Sequence, residues 1–402
     1  MEASFFRLPR NVYLLSICQV IGMSAASIVF LTGGLIGSEI APSANLATLP
    51  STMMFGGVAV ATIPAVLLMK RIGRKKGFLL STGAAALSML LATYALTKSD
   101  FNLFCIAVFL LGTNGAFLQQ YRFAALESVP KHAMSKAVSF ILLAGVISGF
   151  TGPEIVKHTK DLYTLPHYAG AFLLYSFIFC LAAIILLFFK DVIIKEEIKR
   201  EKDRSLSQIV FQPGYMLAVL GGALGFGMMV CIMTATPIFL HKMSHFSLND
   251  TAFILQSHVM AMFLPSLFTG SLITRFGPLK VITAGLFSFF MAVMLGVSFT
   301  SMIAYWGALV FLGIGWNFLF TTSTVLLPHT YRVSERFKAQ GINDFAIVLT
   351  QMSASFFAGS LLFNSGWVNL NLLMIPGILA ALVIFILGRK KIAVHPSTVQ
   401  KP

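Results

Sequence analysis

The sequence predicts an all-α membrane protein with twelve transmembrane helices, and three observations carry that expectation. Of 402 residues, 57% are hydrophobic and 11% charged, and the mean hydropathy is +0.85. The apolar residues gather into twelve stretches, each long enough to match the roughly 20 residues with which a helix crosses a hydrocarbon core of about 30 Å. The stretches lack the two-residue alternation of barrel strands, so helices must satisfy their backbone groups.

The expected spans are 11–35, 46–69, 77–97, 101–126, 134–156, 168–190, 213–240, 249–273, 279–299, 302–327, 337–363 and 368–388. The first follows Arg7 and Arg10 and is too long for the apolar region of a cleaved leader, so it is expected to stay as a helix. The second ends at a basic run, Lys70 to Lys76, with Gly73 suited to a tight turn before the third. The fourth holds Asn114 and closes on Gln119-Gln120-Tyr121-Arg122-Phe123-Ala124-Ala125. The fifth carries Gly145, Gly149 and Gly152-Pro153, small residues that admit close packing and a proline that loosens the helix. After the sixth, Lys190 to Arg204 breaks the apolar pattern with six basic and five acidic residues. The eighth carries Gln256, His258 and Gly270 and ends near Arg275 and Gly277; the tenth carries Trp316 and Asn317; the eleventh carries Asn343, Asp344 and Gln351.

Charge falls on alternate connections. With an even number of spans, 24 of the 29 Lys and Arg lie on the face that holds both termini, four lie on the other, and Arg122 lies within a span. The positive-inside rule puts both termini in the cytoplasm of a multi-pass protein of the cytoplasmic (inner) membrane. The net charge of +15 is then a topology signal, and nucleic acid is not an expected partner, since no soluble stretch is long enough to bury a core. Cys18, Cys105, Cys180 and Cys231 all fall in apolar spans without metal-ligand spacing, so neither a disulfide nor a metal site is expected. No phosphate-binding loop of the GxxxxGK[ST] form occurs, so no nucleotide cofactor and no catalytic residue is expected, and a proton gradient is the economical source of drive. The lipid bilayer is the expected surrounding and a monomer the expected state.

The charged segment divides the chain into a six-helix half, 1–190, a cytoplasmic linker, 191–212, and a second six-helix half, 213–402. The halves echo one another. Arg71-Ile72-Gly73 returns as Arg275-Phe276-Gly277, and Lys136-Ala137 returns as Lys338-Ala339, at nearly equal offsets and equal topological positions. A parallel internal repeat of this kind places a substrate site between halves near the midplane in transporters.

On these residues the chain resembles the major facilitator superfamily. That family's cytoplasmic signature, roughly G-x-x-x-D-R-x-G-R-K, is matched by Gly270 to Gly277 apart from its acid, where Thr274 stands. It is matched more loosely by Val66 to Lys75, which keeps Arg71-Ile72-Gly73-Arg74-Lys75 but has Val66 for the glycine and Lys70 for the acid. In the family the acid helps to latch the halves on the cytoplasmic side, a role these positions leave vacant. Gly149 to Pro153 is similar to the glycine-rich signature associated with antiporters, and the Q-Y-R-F-A-A and A-Q-G-x-N-D runs resemble a bacterial subgroup. The resemblance implies two six-helix bundles working by alternating access on a small-molecule substrate.

Charges retained inside spans cost about 2.5–3.5 kcal/mol each on insertion scales and are function candidates for that reason. Arg122 can pair with an anionic substrate or a gating acid, or snorkel to the interface. Glu154 and Asp344 can carry a proton, or serve as an edge acid and a structural ion pair. His258 can join a relay or be a packed residue. Asn114, Gln119, Tyr121, Trp316, Asn317, Asn343 and Gln351 are candidate linings of the substrate and proton pathway, while Arg71, Gly73, Arg74, Gly270, Arg275 and Gly277 form the conformational loops. The function expected is proton-coupled transport of a small organic solute, with efflux favoured, uptake of a nutrient such as a vitamin or iron chelate as the alternative, and a non-transporting receptor or scaffold as the third reading.

Overall fold

The computed structural model describes residues 8–129, 134–159, 162, 165–191, 204–332 and 335–389. Helices joined by short turns make up these residues, and no strand occurs among them. In chain order the helices are α1 (Arg10–Ile40), α2 (Leu49–Ile72), α3 (Arg74–Thr97), α4 (Phe101–Leu118), α5 (Tyr121–Glu127), α6 (Met134–Thr159), α7 (Ala169–Leu187) and α8 (Leu206–Val210). There follow α9 (Pro213–Pro237), α10 (Leu248–Phe263), α11 (Ser266–Phe276), α12 (Pro278–Ser298), α13 (Met302–Leu326), α14 (Arg336–Leu372) and α15 (Met374–Leu387).

Among the described residues nine helices are long and apolar enough to cross a membrane, ten when α10 and α11 count as one bent span. One of the nine, Lys338–Leu387, is broken at Gly366, whose φ of +79° interrupts the helix between the expected eleventh and twelfth spans. With α6 beside them, a helix stands at each of the twelve expected positions.

Two expected spans prove discontinuous. The fourth breaks at Gln119-Gln120, where Gln120 N–H turns back to the Phe117 carbonyl before α5 resumes. The eighth breaks at Leu264-Pro265, because proline has no N–H to continue the ladder, and the two parts meet at 42°. Pro237 similarly leads α9 into a wider turn, Ile238–Met243, in which Ser244 N–H reaches the Phe239 carbonyl at 2.8 Å. Of the expected linker, 192–203 lies outside the described residues; its end carries α8, whose Ser205 and Gln208 cap one another.

Contacts group the chain into two compact units, Met1–Glu196 with Thr234–Gln256, and Glu197–Met233 with Ser257–Pro402. In the first, α2 packs on α4, α3 on α4 and α7, and α1 on α6. In the second, α12 packs on α13 and α15, and α11 on α13. Without a hydrophobic force between helices in lipid, close contact depends on small residues. At the α2–α4 crossing it is reciprocal: a Cβ on Gly57 would fall on the Phe109 carbonyl, and one on Gly112 would fall on the Met54 carbonyl. In the same way α6 lies against α1 at Gly152, where a Cβ would sit 2.8 Å from the Ser24 carbonyl oxygen.

The repeat is visible in backbone geometry. Gly73 and Gly277, 204 residues apart, have φ/ψ of +88°/157° and +85°/157°, and each donates its N–H at 2.9 Å, to Met69 and Ile273 respectively. Tyr215, whose hydroxyl donates to the Ala339 carbonyl at 2.8 Å, has its counterpart in Tyr13, 202 residues earlier, the same offset that relates Ala339 to Ala137.

Because carbonyl oxygens of a neighbouring helix cannot swing away, Gly112→Val is expected to destabilise the protein by about 1–3 kcal/mol or more. Gly83→Ala, where an added Cβ meets open space, should leave stability unchanged or slightly raised. Thermal unfolding of the purified variants measures both, and equal melting temperatures would refute the close-contact reading.

Candidate functional site

In the first unit the polar residues of α4 and α5 divide into bonded and unbonded groups. Asn114 is buried and donates from Nδ2 to Ser81 Oγ at 3.2 Å. Tyr121 is buried edge-on against Phe78, with centroids 4.5 Å apart. Both, expected to line a path, make these contacts within their own unit. Gln119 lies half-buried in the turn between the helices. Arg122 is half-buried with its guanidinium 4.8 Å from the Phe123 ring centroid, and its buried Nε has no hydrogen-bond partner.

Glu154, on α6, meets Lys157 Nζ at 2.5 Å and His158 Nε2 at 3.6 Å, and Gln256 on α10 donates to it from Nε2 at 3.0 Å. Gln256 was read only as a neighbour of His258. In the same unit Lys242, just past α9, pairs with Glu39 at the end of α1 at 2.6 Å.

The Gly73 loop holds a carboxylate that its signature lacks at Lys70. Asp191, following the sixth span, accepts the Lys75 N–H at 3.0 Å at the start of α3, where a carboxylate is favoured by the free N–H groups of the first turn. Lys190 exchanges two hydrogen bonds with the Asn11 side chain, Lys75 Nζ donates to the Leu187 carbonyl at 2.6 Å, and Arg74 pairs with Glu127. Arg71 stays exposed. In the second unit Gly270 faces open space, and Arg275 lies over Phe276.

His258 is fully buried. Its Nδ1 lies 2.7 Å from the Leu309 carbonyl, which fixes Nδ1 as the donor and leaves Nε2 as an acceptor without a partner. Asn317, expected among the pathway linings, is fully buried. Its amide donates to the Met262 carbonyl and Ser266 Oγ, both at 2.6 Å, and accepts from Thr269 Oγ1 at 2.7 Å, so it clamps α13 to the α10–α11 break. That clamp supplies partners around the turn that Pro265 interrupts. On α14, Asn343 Nδ2 donates to Asp344 Oδ1 at 3.1 Å, both half-buried, and Gln351 is buried two turns on.

Trp316 is buried with its Nε1 unpartnered and is surrounded by Phe226, Phe263 and Phe320. Nothing in the local sequence signals this cluster, since its members come from α9, α10 and α13.

A partly buried ion pair between distant residues also escaped sequence reading. Glu335, at the foot of α14, is buried and takes Arg204 Nε at 2.8 Å, Arg204 Nη2 at 2.6 Å and the Arg332 N–H at 2.9 Å. Hydrogen bonding from Arg204 holds its carboxyl at about 2, below the ordinary 4.5.

A family model described as Major Facilitator Superfamily matches residues 13–334. The riboflavin transporter RfnT of Brucella anthropi is 35% identical over 383 residues, which cover 95% of this chain and 96% of the relative. The uncharacterized MFS-type transporter YddS of Bacillus subtilis is 26% identical over 385 residues, 90% of this chain and 87% of the relative. Among solved structures, a bacterial homolog of the human lysosomal transporter Spinster, in an inward-facing and occupied conformation, superposes with a TM-score of 0.73. It is 12% identical and covers 96% of this chain and 98% of its own, a likeness of fold.

Since the Glu335 carboxyl titrates lower in the folded protein than in the unfolded chain, its contribution is fully present above pH 4.5 and is lost as pH falls toward about 2. Glu335→Gln should lower the melting temperature by several degrees at pH 7 and flatten the acid limb of the stability curve. An unaltered acid limb in that variant would remove the ion pair from the account.

Proposed function

The chain belongs to the major facilitator superfamily, and from that premise we propose that it is a secondary carrier that takes up a vitamin of the riboflavin type across the cytoplasmic membrane. Family and relatives are transporters rather than enzymes. The observation that carries the substrate is the 35% identity to a riboflavin transporter along nearly the whole length of both chains. A vitamin substrate fits the uptake alternative, whereas the Gly149 to Pro153 run, whose Gly152 serves the contact of α6 with α1, does not decide export against uptake.

In this reading the halves 1–190 and 213–402 are two six-helix bundles joined by the 191–212 linker, both termini are cytoplasmic, and the carrier acts as a monomer. Protons supply the drive. Asp344 is the coupling acid: it lies half-buried within α14 and accepts a hydrogen bond from Asn343, so gain of a proton changes the charge held inside that helix. Glu154 has a second role at the end of α6. Its ion pair with Lys157 is lost when it gains a proton and its bond from Gln256 of α10 is weakened, which suits a contact that opens and closes in the cycle. Arg122 offers an unspent N–H to an electron-rich group of the solute.

Expression in a riboflavin-requiring strain that lacks its own uptake should restore growth on low external riboflavin. Asp344→Asn should reduce pH-driven accumulation of labelled riboflavin by about tenfold or more, equivalent to roughly 1.4 kcal/mol, with expression intact. Glu154→Gln should reduce it as well. Full pH-driven accumulation in both variants would take these acids out of the coupling role, and absence of riboflavin uptake by the wild type would overturn the substrate.

A further inference from the structure

The second unit contains a group of side chains that packing alone leaves incomplete. Trp316 on α13 is 4% exposed, and its indole Nε1–H has no acceptor. Seven residues on, Ser323 is equally buried and its Oγ also lacks a partner. In a helix, positions i, i+4 and i+7 share a face, so Trp316, Phe320 and Ser323 form one line along α13. Its two polar ends are separated by about 10 Å of helix rise.

The rings around this line are arranged for a flat guest. Phe320 stacks on Trp316 with centroids 5.1 Å apart and planes at 17°. Phe226 of α9 meets both rings edge-on, each at 5.0 Å, and Phe263 of α10 flanks Trp316 at 5.8 Å. Phe226, Phe263 and Phe320 are only partly covered, so each ring keeps some free surface. A buried donor left without an acceptor forfeits its hydration for nothing, and native proteins rarely tolerate one unless another molecule completes it. Water or a saturated polyol would meet the indole N–H but cannot stack on three aromatic rings.

We propose that Trp316, Phe226, Phe263, Phe320 and Ser323 form a binding site for a planar heteroaromatic ring bearing a polar chain. The ring lies on the aromatic faces with an edge acceptor on Trp316 Nε1, and a hydroxyl of the chain reaches Ser323 Oγ. This assignment rests on the uptake reading for its transport role and adds to it the residues that select the solute.

The test uses the full-length purified protein and two probes, riboflavin and the bare tricyclic ring lumichrome, with ribitol as the ring-free control. Binding is followed by quenching of tryptophan fluorescence and uptake by reconstitution into vesicles. Trp316→Phe keeps an aromatic face and removes the donor; it should raise the KM for riboflavin by about fivefold with Vmax unchanged, and abolish most of the quenching. Trp306→Phe should leave both as in the wild type. Phe226→Ala should weaken binding of both rings by about tenfold through lost stacking. Ser323→Ala, a mild change that preserves the fold, should weaken riboflavin but not lumichrome. Ribitol should not bind. Unchanged KM in Trp316→Phe and Phe226→Ala, with the wild type transporting riboflavin, would overturn the site and leave the uptake reading standing. Lumichrome binding with Trp316 quenched, in a protein that moves no riboflavin, would support the site and overturn the uptake reading. Binding of neither ring would overturn both.

Discussion

Hydrocarbon offers no hydrogen bond to a peptide group, and that constraint organises the whole chain. Every N–H and C=O within the bilayer must find its partner inside the protein, so the apolar stretches become helices. Side-chain hydroxyls obey the same rule by turning back on their own helix: Ser16, Thr32, Thr93 and Ser88 each donate to the carbonyl four residues earlier. The constraint also decides how helices meet. Where α2 crosses α4, glycine on each side brings backbone against backbone, because lipid supplies no driving force that larger apolar side chains could exploit.

Under such a rule a polar group that the protein leaves unbonded is informative. Asn114, Asn317 and the Nδ1 of His258 are committed to neighbours and hold helices together. Arg122 Nε and Trp316 Nε1 are not, although both are buried. A carrier requires groups of the second kind, since a solute enters only by completing bonds that the protein has not completed for itself. The same economy explains why ion pairs concentrate at helix ends. Arg204 with Glu335, Arg74 with Glu127 and Lys242 with Glu39 lie where chain segments join or change direction.

Hydropathy and turn chemistry are local properties, and what depends on them was legible in the sequence. A helix stands at each of the twelve expected positions, and the paired glycines after the second and eighth spans share a left-handed backbone that only glycine adopts readily. Breaks within spans were less legible. Pro265 bends its helix by 42°, whereas Pro64 and Pro153 lie inside helices that continue, because neighbouring groups decide whether a missing N–H is tolerated. Least legible were partners distant along the chain. Asp191 reaches Lys75 across 116 residues and Arg204 reaches Glu335 across 131, and nothing in either neighbourhood distinguishes these acids from the solvated charges around them. The aromatic group around Trp316 belongs to the same class: the tryptophan was a visible candidate, but its companions come from two other helices.

Carriers differ from channels and receptors in one respect that a single experiment isolates. A site that alternates between the two sides returns empty or loaded, so solute on one side accelerates entry of solute from the other. Vesicles containing the purified protein, preloaded with unlabelled riboflavin and diluted into labelled riboflavin without any ion gradient, should accumulate label transiently above equilibrium. Label that merely equilibrates at a rate indifferent to preloading, or that does not enter, would contradict alternating access.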